Sequence, residues 1–345
     1  KVASTGAFTI GAAGTASSLA GIPFYNGDTT SIYTHDVSGT DSTATHNTAY
    51  GITAMDAITT GDANTAIGWS AGSALNTGTQ NTIVGKGALA SASSAGSNTA
   101  IGWNAAYAVT TGTTAITAIG DGAYNSAGDT ETHNIAIGVN AMAAGSLAGA
   151  EYNVAVGNYT LDALTSGDDN VAMGYQAGTA INSGSKNTCI GKGAGGALTT
   201  GDENTILGRE AQAAAVDSDN SVTLGSSNIS SLRCQVQSIS ALSDERDKTD
   251  IIDLPYGLDF INSTRPVQFK WNIRDKYCLE NNPHQGKTRN GFIAQELLLI
   301  GNNEQHNLVL EDNPDRLEAA YSGMIPMLVK AVQELSAKVK ELESK

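Results

Sequence analysis

The chain of 345 residues is poor in charge and in aromatic rings: 15% of its residues are Asp, Glu, Lys or Arg, and 6% are Phe, Trp or Tyr. An ordinary disordered tail is charge-rich, so the low charge excludes that class. The three cysteines, Cys189, Cys234 and Cys278, form no CxxC and have no histidine pair nearby. That argues against a disulfide framework and a zinc site and leaves buried free thiols. No run of about 18 apolar residues exists, so no helix is expected to cross a bilayer. Basic groups are scarce, 19 against 34 acidic, for a net charge of −15. This balance argues against a nucleic-acid reader and against a partner on an anionic membrane surface. Lys1 is not an initiator methionine and no signal pattern follows it, so the chain reads as a piece of something longer. What the chain does have is glycine, 39 residues of it.

The charge is unevenly spread. Residues 1–242 carry 6 basic and 17 acidic groups, whereas the much shorter stretch 243–345 carries 13 and 17. Two different folded objects therefore meet near Ser240.

The first object is a repeat. Its anchors are Gly51, Gly68, Gly85, Gly102, Gly120, Gly138, Gly157, Gly174, Gly191, Gly208 and Gly225, spaced by 17 to 19 residues. The residue before each anchor is apolar, and the residue three before is β-branched (Thr48, Thr65, Ile135, Val154). Four before is asparagine, except at Ile116 and Ser221; three after is alanine, except at Thr160 and Asn228. Turn phrases such as Thr60-Gly61-Asp62 separate the units. A β-branched run bounded by Gly, Asn and Asp reads as a short strand between turns. So short a unit has no core of its own and must stack on its neighbours as one coil of a solenoid. Eleven coils about 4.8 Å apart give a rod of about 50 Å. The isoleucine and valine before the glycines are expected to form an internal ladder, and the asparagines a hydrogen-bonded one. Gly and Thr at this density exclude helix. The expected class is mainly β: residues 47–228 as a parallel β-solenoid of eleven coils, 1–46 as an N-terminal cap or connector, and 229–242 as a neck. In the first segment Thr9-Ile10-Gly11 suggests a degenerate coil, and Phe24, Tyr25, Tyr33 and His35 an aromatic patch.

The Asn-(Thr/Val)-Ala-Ile-Gly phrase resembles the head repeats of trimeric autotransporter adhesins and the shafts of phage tail fibres. That resemblance implies three chains packed side by side as a trimeric β-roll, here with a longer period and enlarged outer loops.

From Ser243 the chain reads Ser243-Asp244-Glu245-Arg246-Asp247-Lys248, then Tyr256-Gly257-Leu258-Asp259-Phe260, Arg265-Pro266-Val267-Gln268-Phe269, Gly291-Phe292-Ile293-Ala294-Gln295-Glu296 and Tyr321-Ser322-Gly323-Met324. In that order these phrases resemble the intramolecular chaperone domain at the C-terminus of phage endosialidases and tail fibres, over all of 243–345. The resemblance implies a domain that drives trimerisation and then releases itself by a serine–lysine autoproteolysis. Its nucleophile maps to Ser243, its base to Lys248 and an acidic position to Asp247. The cut then flanks Ser243, with Leu242–Ser243 favoured and Ser243–Asp244 the alternative. Lysine serves as a base only when desolvated, and two side chains five residues apart diverge on a helix or a strand. The segment must therefore fold back as a turn, or the pair must assemble across chains. The plainer reading makes Ser243 a helix N-cap. Val267–Trp271 alternates as a strand. Residues 315–345 read as one long helix interrupted near Pro326, with Ile325, Leu328, Val332, Leu335, Val339 and Leu342 as a coiled-coil seam or as the face of an amphipathic helix packed on its own domain.

In the rod the position after each anchor glycine varies freely, as an outward slot does. It holds Trp69, Trp103 and Tyr175; the two tryptophans, two coils apart and about 10 Å from each other, suit stacking on successive sugars. The plainer reading is surface or interchain aromatics. No metal site and no cofactor are expected, since the rod's acids sit in turn phrases where Asp serves the backbone. The sequence thus reads as a homotrimeric virion tail-fibre segment, exposed outside the host cell. Its expected partners are a host surface glycan or outer-membrane receptor and other tail proteins upstream, with no nucleic acid and no membrane insertion. The chemistry is at most a single-turnover self-cleavage. A bacterial trimeric adhesin stalk and the non-catalytic part of a polysaccharide-degrading tailspike are the alternatives.

Overall fold

The computed structural model describes residues 17–19, 22–24, 31–34, 43–112, 114–125, 131–144, 147–229, 231–233, 235, 243–272, 285–300, 303–311, 313–315 and 317–345. The chain divides into two compact units, Lys1–Ser226 and Ser227–Lys345. In the first, a short antiparallel pair, β1 (Ser17–Leu19) and β2 (Ile22–Phe24), precedes β3 (Ile32–Tyr33). Eleven three-residue strands follow, β4 (Thr48–Tyr50) to β14 (Val222–Leu224), one per repeat. With β3 they form one parallel sheet of twelve strands in sequential order. Every strand pairs with its counterpart in the next coil without a register slip, Thr48 with Thr65 and Ala155 with Ala172. This is a parallel β-solenoid.

The asparagine four before each anchor is what locks coil to coil. Asn64 is fully buried: its backbone N–H and its Nδ2 both donate to Asn47 Oδ1, at 2.9 and 3.2 Å, while Nδ2 also donates to the Gly78 carbonyl at 2.9 Å. The same pattern recurs at Asn81, Asn170, Asn187 and Asn204, all buried. A hydroxyl terminates the ladder at each end: Asn47 N–H donates to Ser31 Oγ, and Ser221 Oγ donates to Asn204 Oδ1. Ile116 interrupts it, and Tyr124 makes good the loss. The Tyr124 hydroxyl accepts from Asn134 Nδ2 at 3.1 Å, standing in for the missing carboxamide oxygen. Burial drives that phenol's pKa far above its ordinary value.

The interior is narrower than the expected ladder of isoleucine and valine requires, and that expectation is corrected. Strand side chains alternate, so the residues one and three before the glycine share a face. That face is outward: Ile67, Met173 and Ile190 are about two-fifths exposed. The inward residue is the middle one, Ala49, Ala66, Ala100, Ala155 or Ala172, fully buried in one cluster with the alanines three after most anchors. Where the inward residue is larger, a neighbour shrinks; a Cβ on Gly72 would lie 2.8 Å from Ile83 Cδ1. The anchor glycines stack backbone on backbone, and a Cβ on Gly102 would sit 2.2 Å from the Gly120 carbonyl oxygen at a φ of +142°.

In the second unit α1 (Leu258–Ser263) precedes the antiparallel pair β15 (Val267–Lys270) and β16 (Thr288–Gly291). Then come α2 (Ala294–Ile300), α3 (Asn303–His306), a second antiparallel pair β17 (Val309–Leu310) and β18 (Glu318–Ala319), and α4 (Met324–Glu343). The helix expected over 315–345 is thus shorter and unbroken. Residues 318–323 are spent on β18 and a 3₁₀ turn, and Pro326 falls in the first helical turn, where its missing N–H costs nothing. The core is small: Leu308, Met324 and Met327, with Leu254, Tyr256, Phe260, Ile261 and Phe292 against them. Glu334 on α4 accepts a 2.7 Å hydrogen bond from Leu258 N–H and so caps α1. The six seam residues of α4 are all exposed, from 44% at Val339 to 69% at Leu342.

Candidate functional site

The segment after Ser243 is shaped by its own charges. Asp244 is extended (φ −69°, ψ 136°) and caps a 3₁₀ turn, Glu245–Asp247, by accepting from Arg246 N–H at 2.9 Å. The Arg246 guanidinium closes on the same carboxylate, with Nε at 3.0 Å from Oδ1 and Nη2 at 2.6 Å from Oδ2. That side-chain bond, with the backbone one behind it, holds Asp244 below the usual carboxylate range. The cap is therefore Asp244, and the reading of Ser243 as a helix N-cap is not what forms. Lys248 N–H donates to the Glu245 carbonyl at 3.1 Å, and Lys248 leaves the turn extended.

The turn folds the chain back on itself. Lys248 Nζ donates to Ser243 Oγ at 2.7 Å and to the Ser243 carbonyl oxygen at 3.2 Å. Asp247 lies on the turn itself, exposed, and bonds to neither partner. Leu242 lies outside the described residues. Ser243 and Lys248 are both exposed in the single chain. An ammonium in water donates a hydrogen bond and takes no proton, so base chemistry at this pair needs a cover. Arg246, which the sequence reading passed over, fixes the turn; the clue was an Arg two after an Asp that precedes it as a cap.

Residues 243–304 match the family described as chaperone of endosialidase. Ser243 is the first residue of that match, which takes in four of the five phrases read from the sequence and ends before Tyr321. Neither curated proteins nor solved structures give a match. The chain joins a parallel β-solenoid shaft to an endosialidase-type chaperone segment.

On the shaft, Trp69, Trp103 and Tyr175 are about half exposed. Trp69 is not a bare platform: Lys86, from the next coil, holds its ammonium 4.8 Å from the ring centre. Lys192 stands over Tyr175 in the same way at 5.9 Å, and Tyr159 meets Tyr175 edge-on at 6.0 Å. Cys189 is a buried free thiol whose pKa burial pushes up to about 12; Cys234 and Cys278 lie outside the described residues, as do Thr9-Ile10-Gly11, Tyr25 and His35. Among the described residues no group of three or more His, Cys, Asp or Glu side chains is placed to hold a metal ion, and no helix is long and apolar enough to cross a membrane.

Proposed function

We propose that this chain is the shaft and folding chaperone of a phage tail-fibre or tailspike-type protein that assembles as a homotrimer, is carried on the virion and attaches it to a host surface. The chaperone then detaches itself by autoproteolysis at Ser243. The observation that carries the reading is the 2.7 Å contact between Lys248 Nζ and Ser243 Oγ at the first residue of the chaperone match. Trimerisation is supported by apolar surface that one chain leaves in water: the outward strand residues of the rod, and the seam on α4.

In the proposed reaction Ser243 Oγ attacks the Leu242 carbonyl through a five-membered ring; attack on its own carbonyl closes a strained four-membered one. Lys248, once covered and neutral, takes the hydroxyl proton and passes it to the departing Ser243 amine as the C–N bond breaks and the ester forms. Water hydrolyses the ester, leaving a carboxylate on Leu242 and restoring the Ser243 hydroxyl. Because Ser243 and Lys248 are exposed in the single chain, the cover comes from a neighbouring chain, which ties cutting to assembly.

Intact mass with native mass tests this. The expected result is a trimer of a fragment ending at Leu242 for the wild type, and an uncut trimer for Ser243→Ala and for Lys248→Ala. Trimeric Lys248→Ala protein that cuts at the wild-type rate would overturn the role of the lysine. An uncut wild-type trimer would overturn the autoproteolysis and keep residues 243–345 on the mature fibre.

A further inference from the structure

The rod between Asn47 and Ser226 has four basic side chains, Lys86, Lys186, Lys192 and Arg209, against fourteen acidic ones. Chance would scatter the four over every face. Three of them, Lys86, Lys192 and Arg209, fall on one rank, the position directly after the anchor glycine, and the same rank holds both of the rod's tryptophans and Tyr175. Lys186, off the rank, is neutralised by Glu203 at 3.0 Å, and Arg209 by Glu210 at 2.9 Å. Lys86 has no ion pair or hydrogen bond among the described residues; its contact is the Trp69 ring.

Around Lys86 the coils bring together a particular set of groups. Trp69 lies one coil before it and Trp103 one coil after, both about half exposed. Gly87, the next residue, has no side chain because Asn104 needs the space: a Cβ there would lie 2.4 Å from Asn104 Oδ1 and 3.6 Å from the Tyr107 ring. An unpaired cation is thus flanked by two indoles, a carboxamide and a phenol on a straight, evenly spaced edge. At Lys192 the copy is degraded, since the residue matching Asn104 is Glu210 and the one matching Trp103 is Arg209.

From this we infer that the rank centred on Lys86 is a binding site for a carboxylated polysaccharide. This inference rests on the attachment reading and names its ligand chemistry. Indole faces take the apolar C–H faces of sugar rings, the Asn104 carboxamide takes hydroxyls, and Lys86 takes the carboxylate. The exposed ammonium–indole contact is weak, so it yields readily to an anion. A rod this acidic repels polyanions over most of its surface, so Lys86, set between two indoles, selects where such a chain lies down. A neutral glycan would leave the ammonium unused, and a polyanion without sugar faces would leave the indoles unused.

The test is binding of the full-length protein to polygalacturonate, with dextran as the neutral arm and polyphosphate as the anionic arm without sugar. Polygalacturonate is expected to bind with an affinity that falls as salt rises, and the other two at least tenfold more weakly. Lys86→Gln and Trp69→Ala should each weaken it at least tenfold, Lys86→Arg should retain it, and Lys186→Gln should leave it unchanged. Unaltered thermal melting of the variants excludes misfolding as the cause. Equal binding of dextran or polyphosphate, or full binding by Lys86→Gln, overturns the site. Adsorption of the labelled protein to bacterial cells that persists unchanged in a Trp69→Ala, Lys86→Gln double variant overturns the site while leaving attachment intact; loss of binding to polygalacturonate and cells together supports both.

Discussion

The two units spend their apolar residues in opposite ways. The rod seals the middle residue of each strand and the alanine three after most anchors inside the coil, and its buried carboxamides are bonded along the stack. The core of the second unit centres on Leu308, Met324 and Met327, and Ile252, Leu299, Ile325, Val332 and Leu342 stand mostly in water. A solenoid coil finds its partner in the same chain, the next coil, and is complete as soon as that coil forms. The helix α4 packs one face on α1, through Met324, Met327 and the Glu334 cap, and leaves its seam exposed. The difference teaches how self-sufficiency is divided: a coil's inner face is satisfied by the next coil, whereas the α4 seam stays exposed along its whole length.

The comparison can be broken first at the ladder. Asn170→Ala removes two donated bonds, to Asn153 Oδ1 and the Gly184 carbonyl, and an acceptor for Asn187. Because the groups left behind are buried, the loss is expected to be about 3 kcal/mol, read as a lower denaturation midpoint of the rod with the chaperone unit unchanged. In the second unit Leu335→Asn is expected to cost about 2 kcal/mol per chain in the proposed association, seen by native mass as a larger share of monomer than in the wild type at equal concentration, with rod melting unaltered. A smaller change runs the other way. Ala63 is exposed and held at a φ of 59°, which glycine adopts freely, so Ala63→Gly should stabilise the rod by about 1 kcal/mol.

The last effect vanishes at neutral pH. His306 is 7% exposed, wedged against Tyr256 and Phe260, with neither ring nitrogen hydrogen-bonded. Burial alone lowers its pKa. In the unfolded chain a histidine titrates near ~6.5. Above that pH the ring is neutral in both states and contributes nothing. As the pH falls below it the unfolded chain takes up a proton that the folded unit refuses, so stability drops until the lower folded pKa is passed. Urea midpoints of the second unit at pH 7.5 and 5.5 should show a decline that is smaller in His306→Leu.

The repeat was plain in the sequence because glycine, asparagine and β-branched residues each answer to a backbone requirement that recurs every coil. Which way the strand faces was not, because hydrophobicity is a poor sign of burial here: Ile67 is larger than Ala66, yet the alternation puts Ala66 inside. The strand Ile32–Tyr33 was hidden by its substitution, with Ser31 in the place of the asparagine. Tyr124 could not have been picked out, since its hydroxyl reaches a neighbour ten residues on, at Asn134, only through the curvature of the coil. At the candidate site, the need for Ser243 and Lys248 to meet through a reversal was deducible from their spacing, whereas the Asp244–Arg246 clasp that makes the reversal depends on side-chain geometry.

The asparagine ladder has a consequence for how such a shaft changes over generations. Each coil presents to the one before it the same donors and acceptors that it receives from the one after. Deleting residues 64–80 would bring Asn81 onto Asn47 with every bond of the ladder replaced in kind. The gene can therefore lengthen or shorten the shaft in whole steps of about 4.8 Å, like a ruler edited one graduation at a time, wherever the inward residues brought together match in size as Gly72 and Ile83 do.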